Sequence, residues 1–338
     1  MNDVAALAGV SMATVSRVLA GDYPVAGATR ERVLRAVRDL DYVVNAQARA
    51  LAGRRSRTVA ILLGNLAAPF HNRVAHGVER QAVDEGCLCL VAATDDDPDR
   101  ELTLVEEMRA RDVEAVVLVG GVEDSPGYRT RIARLAGILD AAGSRLVLCG
   151  RPAPGEELPL TAVHYDNAGG ARAAVDHLLT LGHRRILFLG GPAATTTTRE
   201  RLAGYQAALA AQGLRHPAEL TVEGCHTRDG ARAWLRRRLA QGPPDFSAVF
   251  AHDDDVAAVV LTVLREHGIS VPEQVSVIGF NDLPGAEDLR PGLTTVRIPH
   301  LDLGRTALRL ALHRPGPEPQ RAVLATELVP RGSTGPVG

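Results

Sequence analysis

Residues 1–20, MNDVAALAGVSMATVSRVLA, predict two short helices joined by a tight turn. Small and apolar residues form a stripe on the first helix, and Gly9 supplies the backbone freedom that a helix C-terminus needs. The Ser11 hydroxyl is expected to accept a backbone N–H in the first turn of the second helix. Val15 and Val18 turn inward. The pattern is typical of a helix-turn-helix that reads DNA, although an ordinary helical hairpin also has it.

The start of the second helix carries the candidates for reading the major groove. In a helix-turn-helix this segment enters the groove, so Met12 and Ala13 are expected to meet base edges. Arg17 is expected to contact a guanine or a phosphate. The short hydroxyl side chains of Thr14 and Ser16 suit phosphate contacts.

Two further helices are predicted in this region. Residues 29–40, TRERVLRAVRDL, have the amphipathic spacing of a helix, with Thr29 as its cap. Asn45 then precedes AQARALAG (46–53), which predicts a short Ala-rich helix. Because isolated helices need about 12–15 residues to be stable in water, we expect this one to order only against a surface.

Charge divides the chain at about residue 57. Residues 1–57 contain nine arginines and five acidic residues, a balance of +4. The remaining 29 arginines and 35 acidic residues give the rest of the chain a balance of −6. A basic N-terminal region is expected of a nucleic-acid binder, although a solvated surface could also carry so modest a charge.

From residue 58 onward, apolar β-rich runs alternate with amphipathic segments. This alternation predicts an α/β fold with doubly wound parallel sheets buried on both faces. The strand-like runs are 58–64, 87–94, 115–120, 145–150, 185–191, 248–252 and 275–280. The helix-like segments are 71–86, 98–111, 167–182, 199–212, 228–241 and 254–268.

Several phrases resemble the lactose-repressor and purine-repressor family of bacterial transcription factors. In the N-terminal region they are DVAALAGVS (3–11), TVSRVL (14–19) and TRERV (29–33), followed by Tyr42 and Asn45. Farther on they are LGHRRILFLGGP (181–192), RERLAGYQAAL (199–209), VSVIGFND (275–282) and PGLTTVRIP (291–299). The resemblance therefore covers essentially the whole chain. It implies a small all-α head and a two-lobed body similar to periplasmic binding proteins.

The resemblance also implies the domain boundaries. The helix-turn-helix head spans residues 1–44, the hinge helix and linker 45–57, and the effector-binding and dimerisation body 58–338. The first lobe comprises about 58–163 and 294–322, and the second about 164–293 and 323–332. The chain is expected to cross between the lobes near 161–165, 290–296 and 320–325.

In that family the short hinge helix packs in the minor groove, and its leucine wedges between base pairs and kinks the DNA. The resemblance assigns this wedge to Leu51 and places Asn45 and Ala52 beside it. Val44 stands where the family usually has a proline. Entry to the hinge is therefore expected to be less rigidly fixed.

Ligands of such folds sit beyond the C-terminal ends of the strands, between the lobes. Eight residues at these positions are the effector-binding candidates: Phe70, His71, Arg151, Arg201, His226, His252, Asp253 and Asn281. The resemblance implies that Arg201 and Asn281 hold polar groups of the effector and that Phe70 forms an apolar wall. His252 replaces an asparagine common in relatives, and Asn281 replaces an aspartate frequent in sugar-binding relatives. Each residue could instead lie in a solvated loop or an interlobe hydrogen bond.

The remaining sequence patterns predict no metal, cofactor or catalytic site. The acidic runs 92–99 and 252–255 fit solvated loops and helix caps better than a metal site, so no metal is expected. The Thr195–Thr198 run could cradle an anion, but a flexible loop is the expectation. Lysine is absent, as are GxSxG, HExxH and CxxC motifs, so we expect no catalytic residues, no cofactor and no enzyme activity. The four cysteines lack metal-ligand spacing and are expected to be reduced thiols.

These observations predict a transcriptional regulator, most simply a repressor, that binds pseudo-palindromic double-stranded operator DNA as a homodimer. Its small-molecule effector is expected to be a sugar or a related metabolite. An effector-independent or partner-controlled regulator, or a solute-binding protein, are the alternatives. No membrane span or leader is expected, and the cytoplasm is the expected compartment. The dimer surface is expected around Val74, Val78 and Met108, and the tail (331–338) lacks the leucine heptads of a tetramer.

Overall fold

The computed structural model describes residues 1–20, 24–42, 57–215, 218–313 and 318–337. The chain forms two compact units, Met1–Ser56 and Arg57–Gly338. We call them the head and the body, and each is described by itself. The four hinge positions singled out above, Val44, Asn45, Leu51 and Ala52, lie outside the described residues.

The head contains the two helices predicted from residues 1–20. Helix α1 spans Asn2–Ala8 and α2 spans Met12–Ala20. Gly9 ends α1 with a φ of 62°, a left-handed conformation that glycine adopts without steric cost. The Ser11 Oγ accepts the Thr14 N–H at 3.2 Å, which confirms the predicted cap.

Helix α3 spans Gly27–Asp39, two residues ahead of the predicted start. The predicted Thr29 cap is wrong, because the Thr29 N–H is already bonded to the Ala26 carbonyl inside the first turn. Ala26 is the N-cap and provides no side-chain hydrogen bond. The three helices enclose a small core in which Val4, Val15 and Val33 are fully buried.

The first lobe of the body is built on a parallel sheet of six strands in the order β11-β5-β4-β3-β1-β2. The strands are β1 (Thr58–Leu63), β2 (Leu88–Ala93), β3 (Ala115–Val119), β4 (Arg145–Cys149), β5 (Leu160–Tyr165) and β11 (Gln320–Leu324). All five residues of the central β3 are buried, as expected of a sheet covered on both faces.

Helices cover both faces of this sheet. Helices α4 (Pro69–Asp84) and α11 (His300–Leu312) pack on one face. Helices α5 (Pro98–Ala110) and α6 (Pro126–Ala141) pack on the other. Helix α6 is not among the helices predicted from the sequence. Its start at Pro126 follows Ser125, whose hydroxyl accepts the Tyr128 N–H at 3.2 Å.

Helices α4 and α11 pack closely because each has a glycine at the contact. A Cβ on Gly77 would lie 2.3 Å from the Leu301 carbonyl oxygen, and one on Gly304 would lie 2.3 Å from the Val74 carbonyl oxygen. Val74 and Val78 are fully buried there, and Met108 is 7% exposed in the core under the opposite face. The predicted dimer surface around these three residues is therefore wrong, because their apolar side chains form the lobe's own core.

The second lobe has a four-stranded parallel sheet in the order β7-β6-β8-β9. Its strands are β6 (Ile186–Leu189), β7 (Thr221–Val222), β8 (Ala248–Ala251) and β9 (Ser276–Ile278). Helices α7 (Asn167–Thr180) and α8 (Thr196–Ala211) pack on one face. Helices α9 (Arg228–Leu239) and α10 (Asp254–Glu266) pack on the other. A short 3₁₀ helix, Ala218–Leu220, precedes β7.

The chain passes between the lobes three times. It leaves the first sheet after β5, returns after β10 (Thr295–Arg297), and leaves again after β11 to form β12 (Glu327–Val329). Strands β10 and β12 form an antiparallel ribbon beside the second lobe. Tyr165 and Leu324 are still paired across β5 and β11, so the crossings begin only after these residues.

Candidate functional site

Helix α2 presents the predicted major-groove residues on its outer side. Met12 is 54% exposed, and Ala13 and Arg17 are also exposed. Thr14 and Ser16 are half-buried at the margins of this surface. Helix α2 contains no acidic residue, so nothing on this helix would repel a phosphate.

A cavity of about 620 Å³ opens between the two lobes of the body, which we call the interlobe cleft. Its volume lies within the roughly 300–1,000 Å³ typical of small-molecule sites. Seven of the eight candidates line it: Phe70, His71, Arg201, His226, His252, Asp253 and Asn281. The structure therefore brings together side chains that are more than 200 positions apart in the sequence.

Arg201 is the polar centre of this cleft. It is 2% exposed, and its guanidinium carbon lies 3.7 Å from the centroid of the Phe280 ring. Its Nε donates to the Asn167 Oδ1 at 2.9 Å, its Nη1 to the His252 carbonyl, and its Nη2 to the Asn281 Oδ1 at 3.5 Å. A guanidinium has five N–H groups, so these three bonds fix its orientation and leave donors for a ligand.

His252 follows β8 and lies in T-shaped contact with the His226 ring, at 6.2 Å between centroids. Burial, Arg201 and His226 hold the pKa of His252 well below its usual value, so the ring is neutral at pH 7. Its buried Nδ1 makes no hydrogen bond to any described residue. A neutral imidazole can present either a donor or an acceptor there, depending on its tautomer.

Asp253 and Asn281 also end strands at the cleft. The Asp253 Oδ1 accepts the Val256 N–H at 2.9 Å and caps α10, and burial raises the pKa of this carboxyl. Asn281 has a φ of 108°, a conformation rare outside glycine, and its N–H donates to the Val296 carbonyl. Both residues therefore have structural partners as well as a place on the cleft wall.

Phe70 and His71 lie in the first turn of α4, because the helix begins at Pro69, two residues ahead of the predicted start. The Phe70 ring contacts the rings of Tyr165 and His300, with centroids 5.9 and 5.5 Å away. It is half-buried and forms an apolar patch on the first-lobe wall. Burial lowers the pKa of His71, whose Nδ1 lies 3.1 Å from the Asn65 carbonyl oxygen.

Arg151 is placed apart from the other seven candidates. It lines a neighbouring cavity of the first lobe, and it is 5% exposed. Its Nε donates to the Gly120 carbonyl at 2.7 Å and its Nη2 to the Val119 carbonyl at 3.3 Å. The position of Arg151 directly after β4 was predicted from the sequence. The bonds of its guanidinium to the Val119 and Gly120 carbonyls, and its place in a different cavity, were not.

The expectation of a flexible loop at Thr195–Thr198 is wrong. Thr195 caps α8 by accepting the Thr198 N–H at 3.4 Å, and Thr196 and Thr198 are buried. Thr196 also joins the lobes, since its N–H donates to the Val122 carbonyl at 2.9 Å. A threonine run directly before a helical pattern is a capping signal that the sequence analysis overlooked.

Several other residues on the cleft wall were not assigned to the effector site from the sequence. They include Asn65, Asp96, Tyr165, Thr195, Thr197, Thr227, Arg228 and Asp255. Asn65, Asp96 and Tyr165 follow or end strands of the first sheet, so the strand-end rule, applied to every strand, would have found them.

The acidic runs serve as helix caps. The Asp97 Oδ1 accepts the N–H groups of Asp99 and Arg100 at the start of α5. Asp253 performs the same role for α10. Across the described ranges, no group of three or more His, Cys, Asp or Glu residues is arranged to hold a metal ion. The helices in those ranges include none that is long and apolar enough to cross a membrane.

Two family models match the chain. The model of bacterial regulatory proteins of the lacI family matches residues 1–45. The model of the periplasmic binding protein-like domain matches residues 175–334. The first range contains the three helices of the head. The second contains most of the second lobe together with α11 and β11 of the first lobe.

Similarity to known proteins extends over nearly the whole chain. The HTH-type transcriptional regulator CelR of Thermobifida fusca is 38% identical over 338 residues, covering 98% of this chain and 96% of that protein. The solved CelR–cellobiose complex has 36% identity and a TM-score of 0.73, with 98% of both chains covered. The lac repressor dimer bound to operator and the anti-inducer ONPF has 26% identity and a TM-score of 0.84, again with 98% of both chains covered.

Proposed function

Because the chain belongs to the lacI family of bacterial regulatory proteins, we propose that it represses transcription as a homodimer on a pseudo-palindromic operator. A small sugar-like effector in the interlobe cleft changes its affinity for that operator. The observation that carries this proposal is the convergence of polar and aromatic side chains on one cleft in a body joined to a helix-turn-helix head. We assign residues 1–44 to the helix-turn-helix, 45–57 to the hinge helix and linker, and 58–338 to effector binding and dimerisation.

In the head, Met12 and Ala13 meet base edges and Arg17 contacts a guanine or a phosphate. Thr14 and Ser16 bind phosphates, which position the helix without reading sequence. In the hinge, Leu51 wedges into the minor groove beside Asn45 and Ala52. The exposure of Met12 and Arg17 on α2 supports the first of these roles.

A sugar is the effector class that the cleft favours. Sugar hydroxyls both donate and accept, which matches the spare donors of Arg201, the unpaired Nδ1 of His252 and the acceptors of Asp253. The Phe70 ring supplies an apolar surface for the ring face of a sugar. The cellobiose complex of the relative CelR agrees with this class.

The first turn of α8 couples effector binding to the relative position of the two lobes. Arg199, two residues before Arg201, donates to the Asp124 carboxylate of the first lobe at 3.1 Å. Glu123 and Thr195 form a β-bridge at the same rim. An effector held by Arg201 therefore acts on the helix that also carries the contacts between the lobes, and closing or opening the lobes would move the two hinges of a dimer.

The dimer surface that we now propose is the edge strand β2. Leu88 is 65% exposed and Val91 is 52% exposed, and both lie on the outermost strand of the first sheet. Exposed apolar side chains on a sheet edge mark a surface for association. A two-fold interface here would bring the first lobes of two chains together, as a two-fold operator requires.

The role proposed for the chain is regulatory and not catalytic, in line with the transcriptional regulators that it resembles. Its compartment is the cytoplasm, where bacterial chromosomal DNA lies. Control by a partner protein in place of an effector is the competing proposal. The experiments below separate the two.

The DNA-binding role is tested by selection from a random duplex library with the full chain. We expect two inverted half-sites to be enriched, because a two-fold protein reads a two-fold site. The Arg17→Ala variant should bind the selected site about 5- to 100-fold more weakly, whereas Arg265→Ala, an exposed change in the second lobe, should bind it like the wild type. Enrichment of no sequence, or of an asymmetric one, would contradict the proposed mode of binding.

A further inference from the structure

A second cavity of about 360 Å³ lies in the first lobe, at the carboxyl ends of its strands and beside α5 and α6. We call it the side chamber. Its lining includes the polar side chains of Glu101, Tyr128, Arg131 and Arg151. Of the candidate residues for the effector, only Arg151 lies here, so the cleft described above does not explain this chamber.

Four buried polar atoms of the chamber have no hydrogen-bond partner among the described residues. Tyr128, Arg151 and Glu101 are 3%, 5% and 8% exposed. The Tyr128 hydroxyl, the Arg151 Nη1, the Glu101 Oε1 and the Arg131 Nε make no hydrogen bond to any described residue. Buried polar atoms in folded proteins are nearly always bonded to protein or to ordered water, so these four atoms offer hydrogen-bonding capacity to an occupant of the cavity.

The ion pairs around the chamber are loose. The Arg131 Nε lies 3.7 Å from the Glu101 Oε1, and the Arg151 Nη1 lies 3.7 Å from the Glu101 Oε2. These distances exceed hydrogen-bond length. Backbone carbonyls hold the other Arg151 nitrogens, so its guanidinium cannot turn toward Glu101 without losing those bonds. A ligand hydroxyl between the charged groups would bond to both.

The charges favour a neutral ligand rich in hydroxyls. Asp96, Asp97 and Glu123 line the chamber together with Glu101, so carboxylates outnumber the two arginines. An anion would meet this excess of negative charge. The four unpaired atoms comprise two N–H donors, one carboxylate acceptor and one hydroxyl that can donate or accept. Each hydroxyl of a sugar ring can also donate and accept, so sugar hydroxyls can bond to all four atoms.

The side chamber adjoins the interlobe cleft. Asp96, Gly121 and Thr195 line both cavities. A ligand seated against Arg201 and Phe70 can therefore extend past these residues into the chamber. One sugar ring would occupy the cleft and a second ring would reach Tyr128, Arg131 and Arg151.

We propose that the side chamber is a second subsite of the effector site and that the effector is a neutral oligosaccharide of at least two rings. This inference rests on the proposed function, since it requires a sugar in the cleft. It assigns Tyr128, Arg131, Arg151 and Glu101 to the second ring. The specificity for chain length then resides in the first lobe.

The test is calorimetric titration of the full chain with cellobiose, maltose, lactose and trehalose, and with glucose and galactose. We expect at least one disaccharide to bind about tenfold or more tightly than its component monosaccharides. Tyr128→Phe, which removes only the hydroxyl, and Arg131→Gln should each weaken that disaccharide about five- to tenfold and leave monosaccharide binding unchanged. Arg134→Gln, an exposed change on the same helix α6, is the matched control.

Two results would overturn the subsite. One is equal affinity for a disaccharide and its monosaccharides; the other is a Tyr128→Phe variant that binds every sugar like the wild type. In both cases a sugar still binds in the cleft, so the proposed function stands. If no sugar in the set binds or alters operator affinity, the sugar effector fails as well, and the subsite with it.

Discussion

At the scale of single residues, Asp254 has the most unusual environment beside the cleft. It is 5% exposed, and its Oδ2 accepts the Leu283 N–H at 2.7 Å while its Oδ1 accepts from the Thr295 hydroxyl. Burial, with the neighbouring carboxylates Asp253 and Asp282, raises the pKa of Asp254 from 3.8 to about 7. Compared with the unfolded chain, the folded body therefore favours the protonated form of this carboxyl.

A raised pKa in the folded state makes stability depend on pH. The contribution of Asp254 to the free energy of unfolding is fully present below pH 3.8 and is lost as the pH rises through about 7. The Asp254→Asn variant cannot ionise, so we expect it to be more stable than the wild type at pH 8. A shift of about three pKa units sets an upper limit of about 4 kcal/mol on the gain.

Urea unfolding monitored by the fluorescence of the single tryptophan, Trp234, measures this effect, because Trp234 lies on α9 of the same lobe. The difference between Asp254→Asn and the wild type should grow from pH 5 to pH 8. The Asp255→Asn change on the same helix, at a half-buried carboxylate, serves as the control. An equal difference at both pH values would show that the Asp254 carboxyl does not titrate in this range.

At the scale of elements, sequence patterns predicted seven of the twelve strands of the described residues and predicted the surfaces poorly. The strands that were not predicted are β5, β7, β10, β11 and β12. Strands β1, β3 and β4 are continuous apolar runs, so their position in a buried parallel sheet was predictable. Helix α6 was missed because its start signals, the capping Ser125 and Pro126 at the first helical position, were not used. The burial of Val74 depends on the glycines that bring α4 and α11 together, which no local pattern reveals.

The residues of the candidate site were predictable from the sequence as far as their position at strand ends. The carboxyl ends of parallel strands meet at one edge, so Asn281, His252 and Arg201 could be assigned to the cleft from their place in the chain. The direction of a side chain after its strand could not be assigned. Arg151 illustrates this, since its guanidinium is held by the Gly120 and Val119 carbonyls in the side chamber.

The edge strand β2 gives a prediction about assembly. The Val91→Glu change places a charge on the proposed dimer surface, where burying it without a partner would oppose association. We expect sedimentation velocity to show a dimer for the wild type at micromolar concentration and a shift toward monomer for Val91→Glu. Val83→Glu, at an exposed position near the end of α4, is the matched control.

Monomeric wild type at these concentrations would contradict the proposed dimer. An unchanged dimer in the Val91→Glu variant would instead exclude β2 as its surface. Weak operator binding by that variant, with normal sugar binding, would support the link between assembly and DNA affinity, since two half-sites need two heads.

At the scale of the whole molecule, the interlobe cleft joins two lobes that are already in contact at one rim. Thr196 and Arg199 of α8 bond to Val122 and Asp124 of the first lobe. Arg201 lies on the next turn and faces the cleft. An effector that bonds to Arg201 and to the first-lobe wall thus favours one lobe arrangement, and its differential affinity for two arrangements sets the size of the response.

The central claim is that the cleft controls DNA affinity. Operator titrations of the wild type, Arg201→Ala and His252→Leu, with and without the sugar that binds the wild type, test it most directly at one fixed salt concentration. His252→Leu is included because the His252 Nδ1 of the wild type has no hydrogen-bond partner among the described residues. Its removal breaks no hydrogen bond at that atom, so we expect this variant to fold and any loss of the sugar response to come from the cleft. Thermal unfolding of each variant checks that the body remains folded.

For the wild type, the sugar should change the operator dissociation constant about 5- to 150-fold, the range of typical coupling energies. Both cleft variants should bind the operator like the wild type in the absence of sugar and lose most of the response to it. If both variants respond to the sugar as the wild type does, the cleft is not the sensing site, and control by a partner protein becomes the better account.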